Sequence, residues 1–176
     1  MAAIDREGTK IYIAPAGTAG SDLADSDLFR GEITEVNSSG AEREQETTNA
    51  FGGDITRTQP RSEIELEMEV TPAQDGEVDW VGFFFGEDGT NTDYYTSAKA
   101  PEDKAVYVEA TDGNTTTTHA WNNLQAVTEE MDHPADDTRT ISITFNTAPT
   151  TQEGKPNYAF TNGDAQSFAG WDSFEA

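Results

Sequence analysis

Residues 62–70 read SEIELEMEV. Ile64, Leu66, Met68 and Val70 alternate without a miss with Glu63, Glu65, Glu67 and Glu69. A strand repeats every two residues, so the two sets fall on opposite faces of a sheet. The apolar face is core. The other face carries four like charges in succession, and that acidity needs a physical reason.

The rest of the chain has the same texture. Thr9–Ala14 (TKIYIA) reads as a strand stopped by Pro15 and the turn residues that follow it. Ser21–Leu28 has room for one helical turn. Phe29–Val36 (FRGEITEV) is a second strand, and Asn37–Gly40 (NSSG) has the composition of a turn. Ala41–Pro60 is polar on both sides and bends at Phe51-Gly52-Gly53, as an extended arm or long hairpin would. Asp75–Gly86 (DGEVDWVGFFFG) places Val78, Val81, Phe84 and Phe85 at helical spacing, with Asp75 to cap its start and Gly86 its end. Gly82 and the aromatic run leave a buried strand as the alternative. Ala105–Thr111, the turn at Asp112–Asn114, and a partner from Thr117 to about Met131 form a hairpin. A turn at Asp132–Asp137 leads to the last strong strand, Thr138–Thr147. Beyond Thr151 no period is visible. Tyr158, Phe160, Phe168, Trp171 and Phe174 are too many aromatics for a linker, so residues 152–176 pack on the 1–151 domain or on a neighbour. About seven strands, one helix and no alternation of strand and helix predict a mainly β sandwich or barrel with one flanking α-helix and a long hairpin arm.

Composition narrows the function. The chain has 176 residues, and its 10 Lys and Arg against 34 Asp and Glu give a net charge of −24. Hydrophobic residues are only 34%, yet nine Phe, five Tyr and three Trp supply large packing units, which disordered acidic chains lack. In dilute salt such self-repulsion opposes a compact state. At about 1 M salt the screening length is roughly 3 Å and neighbouring carboxylates hardly sense each other. The pattern resembles proteins of salt-in halophilic archaea; an acidic mesophilic protein or a calcium-dependent surface protein is the alternative. There is no Cys, hence no disulfide frame and no thiolate chemistry. Residues 1–10 (MAAIDREGTK) have no apolar signal region, and no apolar run reaches membrane-spanning length. A cytoplasmic origin and no membrane partner are expected. Ten scattered cations disfavour nucleic-acid binding, which needs them clustered.

No catalytic constellation emerges, and neither a metal nor a cofactor is expected. Asp88–Asp93 and Asp132–Asp137 place oxygens close together but lack the closing bidentate Glu of a calcium loop. His119 and His133 have no zinc-ligand spacing. Glu129–His133 (EEMDH) splits between two faces if it is a strand. There is no nucleophile elbow and no phosphate loop. Asn37 and Asn114 open glycosylation sequons that a Thr-rich chain produces by chance.

The order of elements carries a resemblance. A strand ending EVNSSGAERE is followed by FGGDITRTQP, the strand SEIELEMEV, one helix, and a hairpin closing in DDTRTISITFNTAP. Over roughly residues 9–150 this resembles the tail tube, or major tail, proteins of long-tailed viruses. With the acidic composition, the host would be a halophilic archaeon. The resemblance implies a structural virion protein and not an enzyme. Six copies would close into a ring around a continuous inner β-barrel, and rings would stack into the tail tube, with other tail proteins as further partners. Genomic DNA would pass through during ejection without specific binding. The protein would reside in the virion tail, assembled in the host cytoplasm. The arm would reach a neighbouring copy through Arg43, Glu44, Phe51, Arg57 and Arg61. Val78, Val81, Phe84 and Phe85 would seat the helix on the barrel. Glu63, Glu65, Glu67 and Glu69 would line the lumen, repelling phosphates; an outer solvated face or a subunit interface are the alternatives. A halophilic surface or adhesion domain, or a virion decoration or baseplate binding module, is the competing reading.

Overall fold

The structure is a computed structural model that describes residues 8–40, 45–50, 53–58, 64–72, 102–132, 140–148 and 150–174. Its strands are β1 (Thr9–Pro15), β2 (Gly31–Gly40), β3 (Gln45–Ala50), β4 (Gly53–Thr58), β5 (Ile64–Pro72), β6 (Lys104–Asp112), β7 (Thr115–Asp132), β8 (Thr140–Thr147) and β9 (Tyr158–Asn162). All pairings are antiparallel. The main path runs β1-β6-β7-β8-β5-β2, with β9 also on β7, while among the described residues β3 and β4 pair only with each other. The fold is mainly β, as the alternating patterns predict. The helix expected at Asp75–Gly86, with Val78, Val81, Phe84 and Phe85, lies outside the described residues.

The organising element is β7. Its first half pairs with β6 on one side and β9 on the other; its second half, from Gln125, pairs with β8. Irregularities of register fall at both transitions, between Lys104 and Val106 on β6 and between Ala126 and Thr128 on β7. Such bulges bend and twist a strand, and this lets one strand serve two layers. The inner layer-to-layer core joins Ile11, Ile13, Val106, Trp121 and Leu124 from β1-β6-β7 to Ile64, Leu66, Met68, Val70, Ile141, Ile143 and Phe145 from β5 and β8. Each such side chain, fully buried, contributes about 1.5–3 kcal/mol relative to exposure. The set Ile64, Leu66, Met68, Val70 is buried throughout, as its period requires.

The β1-β6-β7-β9 layer is buried on its second face as well. Tyr12, Ala14, Ala105, Tyr107 and Ala120 pack there against Leu23, Ala165, Phe168 and Trp171. That double burial explains the unbroken apolar run Ile11–Ala14. The covering pieces are single 3-10 turns at Gly20–Asp22, Asp25–Asp27, Ala165–Ser167 and Trp171–Ser173. Gly20 sits so close to the Ala165 carbonyl and Phe168 that any Cβ would collide with them. The Tyr107 hydroxyl donates to the Thr18 carbonyl, and burial pushes its pKa up to about 12. Tail residues beyond Thr151 thus supply both a strand and a cover to the body.

Two local readings are corrected. Asn37–Gly40 is not a turn: it extends β2, with Asn37 opposite Glu67 and Gly40 opposite Ile64. Cross-strand pairing along β5 outweighs the local turn composition. The strand also begins at Gly31 instead of Phe29, because the Phe29 amide donates to the Ile11 carbonyl and its ring enters the core. The turn between β6 and β7 is as expected: Gly113 has φ of 60°, the left-handed first position that a tight hairpin needs.

Glu109 fastens the cover. It is buried on β6; one carboxylate oxygen accepts the Ala165 amide at 3.0 Å and the other lies 3.5 Å from the Lys10 ammonium. Truncation to alanine strands a buried donor, a loss of about 1–3 kcal/mol. Glu109→Ala is therefore expected to lower the melting temperature and to speed amide exchange in residues 163–174 before β5 and β8 respond. Unchanged exchange there would remove Glu109 from this role.

Candidate assembly surface

The outer face of the β2-β5-β8-β7 layer is built by the polar half of each alternating pattern. Glu67 is exposed, and Glu65 and Glu69 are half-buried. On β8, Thr140, Ser142, Thr144 and Asn146 are half-buried while the residues between them are core. Cross-strand partners share a face, so the register assembles rows. Glu65, Asn146 and Gln125 form one; Asn37, Glu67 and Thr144 the next; Glu35, Glu69 and Ser142 the third. None of these positions holds Lys, Arg or His. Glu35 stands directly opposite Glu69, a like-charge arrangement that works against the pair.

Both lateral borders of this layer are open among the described residues. β2 pairs only with β5, and the second half of β7 pairs only with β8. Strand direction alternates across the four, so the two borders run in opposite senses. Open borders present unpaired amides and carbonyls, which a lone soluble protein normally shields.

Of the residues singled out in the sequence, Glu65, Glu67 and Glu69 come together on this face. Arg57 lies on β4 opposite Glu46, in the β3-β4 hairpin whose end pair is Ala50 and Gly53. Glu63, Arg43, Glu44, Phe51 and Arg61 lie outside the described residues. Glu35 joins the face without having been singled out, and Asn37, read in the sequence as part of a turn, joins it as well. Only the strand order reveals them, although the alternation in Thr140–Thr147 marks its polar side in advance.

Elsewhere, His119 bonds the Tyr158 hydroxyl at 2.7 Å among Trp121 and Phe160, and its burial lowers its pKa. Phe160 on β9 is 51% exposed. An open cleft of about 550 Å³ is lined by Asn122, Lys155, Trp171 and Asp172 among others, with Lys155 ion-paired to Asp172 at 2.7 Å. Among the described residues no group of three or more His, Cys, Asp or Glu is placed to hold a metal ion.

No protein-family model and no curated protein matches the chain. Solved structures do. A chain of the sheath-tube complex of the extracellular contractile injection system PVC, in its extended state, is similar over 92% of this chain and 93% of its own, with a TM-score of 0.54 at 10% identity. A chain of the PVC sheath/tube terminator is similar over 92% and 98%, with a TM-score of 0.55 at 9% identity. The tube-terminating cap of the anti-feeding prophage is similar over 93% and 93%, with a TM-score of 0.50 at 11% identity. The fold is tail-tube-like.

Proposed function

We propose that this chain is a structural subunit of a viral tail tube, not an enzyme. Copies join laterally through the borders of the β2-β5-β8-β7 layer into rings, and rings stack into a conduit for DNA. The single observation that carries the reading is the opposite sense of the two open borders. A copy rotated about an axis along the strands brings its β7 border antiparallel to β2 of its neighbour, so the sheet continues with unchanged pairing. Such a heterologous contact generates a ring when the rotation closes, and closure removes every border. With six copies of four strands, a spacing of about 4.8 Å and a tilt of about 40° give a backbone radius near 24 Å, wide enough for a DNA duplex.

The acidic rows then face the bore, with Glu63 continuing the alternation. Phosphates are repelled, so DNA slides; a basic lining would bind it with release of counterions. The β3-β4 hairpin, with Arg57 on β4, Phe51 between its two strands in sequence, and Arg43, Glu44 and Arg61 beside it in sequence, reaches a neighbouring copy. The tail tube fold of the similar injection-system structures supports the tube reading, and the charge of −24 supports a halophilic archaeal host. The virion tail is the site of action, other tail proteins are the further partners, and assembly takes place in the host cytoplasm.

The chain has no Cys, which makes cross-linking clean. Single cysteines at Glu35 or Asn37 combined with one at Thr128 or Glu130 are expected to give, on oxidation in molar salt, a ladder of covalent oligomers ending at the ring. Disulfide geometry admits only residues whose Cα atoms lie within about 7 Å, so at least one combination must cross-link far better than the others. A monomer under all combinations would refute the lateral joint.

A further inference from the structure

We infer that the β3-β4 hairpin of one copy lands on β9 of a neighbouring copy and extends its sheet, an inference that rests on the tube reading above. The β1-β6-β7-β9 layer has two borders. On β1 the chain shields itself: Tyr12 bridges to Leu28, and the Phe29 amide donates to the Ile11 carbonyl. β9 pairs only with β7 among the described residues. The Gly163 amide donates to the Thr116 carbonyl and the Asn122 amide to the Asn157 carbonyl, so the odd-numbered residues of β9 bond to β7. Antiparallel pairing alternates, and Phe160 in the middle of the strand therefore turns its amide and carbonyl outward. It is 51% exposed, the one large hydrophobic so exposed among the described residues, and its ring centroid lies 4.9 Å from that of His119. Natural sheet edges are blunted with charge or proline; this one displays an aromatic ring.

The hairpin is the complementary piece. Among the described residues β3 and β4 pair only with each other, and a two-stranded ribbon is marginally stable alone. It gains a sheet by adding a strand to an open edge. The neighbour's β1 cannot continue β9, because its own border is taken, so the incoming strand comes from another element. β4 is the strand that docks. Its six residues match the five of β9. Asp54 and Arg57 leave β4 without net charge, whereas β3 carries Glu46 alone, and in a chain of charge −24 the neutral strand approaches with less repulsion. β4 also holds Ile55, the one large apolar residue of the two hairpin strands, and a β-branched residue beside an aromatic one is a favourable cross-strand pair. The layer thereby grows from four strands to six, and backbone bonds lace each copy to its neighbour through a second joint, away from the acidic layer.

The test uses the full chain in molar sodium chloride, with sedimentation and negative-stain microscopy reading assembly and circular dichroism reading the fold. Phe160→Ala removes an exposed ring, so the melting temperature should hold while the concentration needed for assembly rises about fivefold or more, the effect of losing an interface aromatic. Cross-linking locates the contact, since the chain has no Cys. A protein with Asn162→Cys is mixed with a tagged protein carrying one cysteine at each position from 53 to 58 in turn. Only Cα atoms within about 7 Å can be bridged, so mixed dimers are expected at one or two of these positions and not at the rest. Normal tubes without a mixed dimer at any position would overturn the hairpin joint. So would a Phe160→Ala chain that assembles like the parent. So would a disulfide within one chain, formed in dilute monomer when both cysteines sit on the same copy, because the hairpin would then lie on its own β9. Each of these leaves the ring reading standing. Absence of rings at every concentration overturns the ring reading, and the joint with it.

Discussion

Replacing Trp121 with alanine is expected to destabilise the chain by about 3–5 kcal/mol, the range for deleting a buried aromatic from a packed core. Trp121 is 2% exposed and belongs to the inner core. It sits on β7 opposite Val106 and Tyr158, shortly before the strand passes from one layer to the other. Its ring lies 5.5 Å from that of Tyr158 and 6.2 Å from that of His119. The void would therefore open where the layers are tied, and little else can collapse into it. For a chain of this size about 1 kcal/mol corresponds to roughly 2–4 °C, so the melting temperature should fall by about 6–20 °C. Trp121→Phe is the informative contrast. The indole Nε1 is buried with no hydrogen-bond partner among the described residues. Phenylalanine keeps most of the apolar area and removes that donor, so its expected loss is under about 1.5 kcal/mol. Urea melts followed by circular dichroism distinguish the two; equal and small losses would mean that Trp121 is not central to the core.

The second large effect concerns the acidic face. On the proposed tube reading, changing Glu63, Glu65, Glu67 and Glu69 together to lysine should turn a bore that ignores DNA into one that retains it. Each added cation that meets a phosphate releases counterions, and six or more contacts change affinity by about 10³–10⁵ between 50 and 200 mM salt. The assay is co-sedimentation of duplex DNA with preformed tubes at the lowest salt that keeps them intact. DNA topology then locates the charges. A linear duplex can thread a bore; a closed supercoiled plasmid cannot. Lumenal lysines should retain linear DNA and leave the plasmid in solution. Equal retention of both would put the face on the outside of the tube, and retention of neither would detach it from the path of DNA altogether.

What could be read from residues alone was set by how many faces each strand buries. β5 and β8 bury one face and wet the other, so their period of two displayed the strand, its core side and its acidic side together. β1 buries both faces; it was legible as a strand, and the aromatics of residues 152–176 as packing units, but the place of Ala165, Phe168 and Trp171 over β1 was not. Those residues stand in or just after single 3-10 turns about a hundred and fifty positions away, with no period to betray them. The Asn37–Gly40 stretch misled because turn chemistry is local and strand pairing is not. The candidate surface divided in the same way. Glu65, Glu67 and Glu69 share a face by arithmetic. Glu35 and Asn37 join them only because β2 happens to flank β5, and adjacency of strands leaves no mark in either one's sequence.

One strand passing through both layers has a mechanical meaning. Where two walls of a protein are linked by loops, a load on one can slide it past the other. Here β7 is a continuous girder: its first half is welded into the layer that carries the C-terminal cover, and its second half forms a border of the acidic layer. Tension applied at that border runs along covalent backbone into the opposite wall, so the chain answers force as a single block, and in the proposed tube any bending is taken up between blocks.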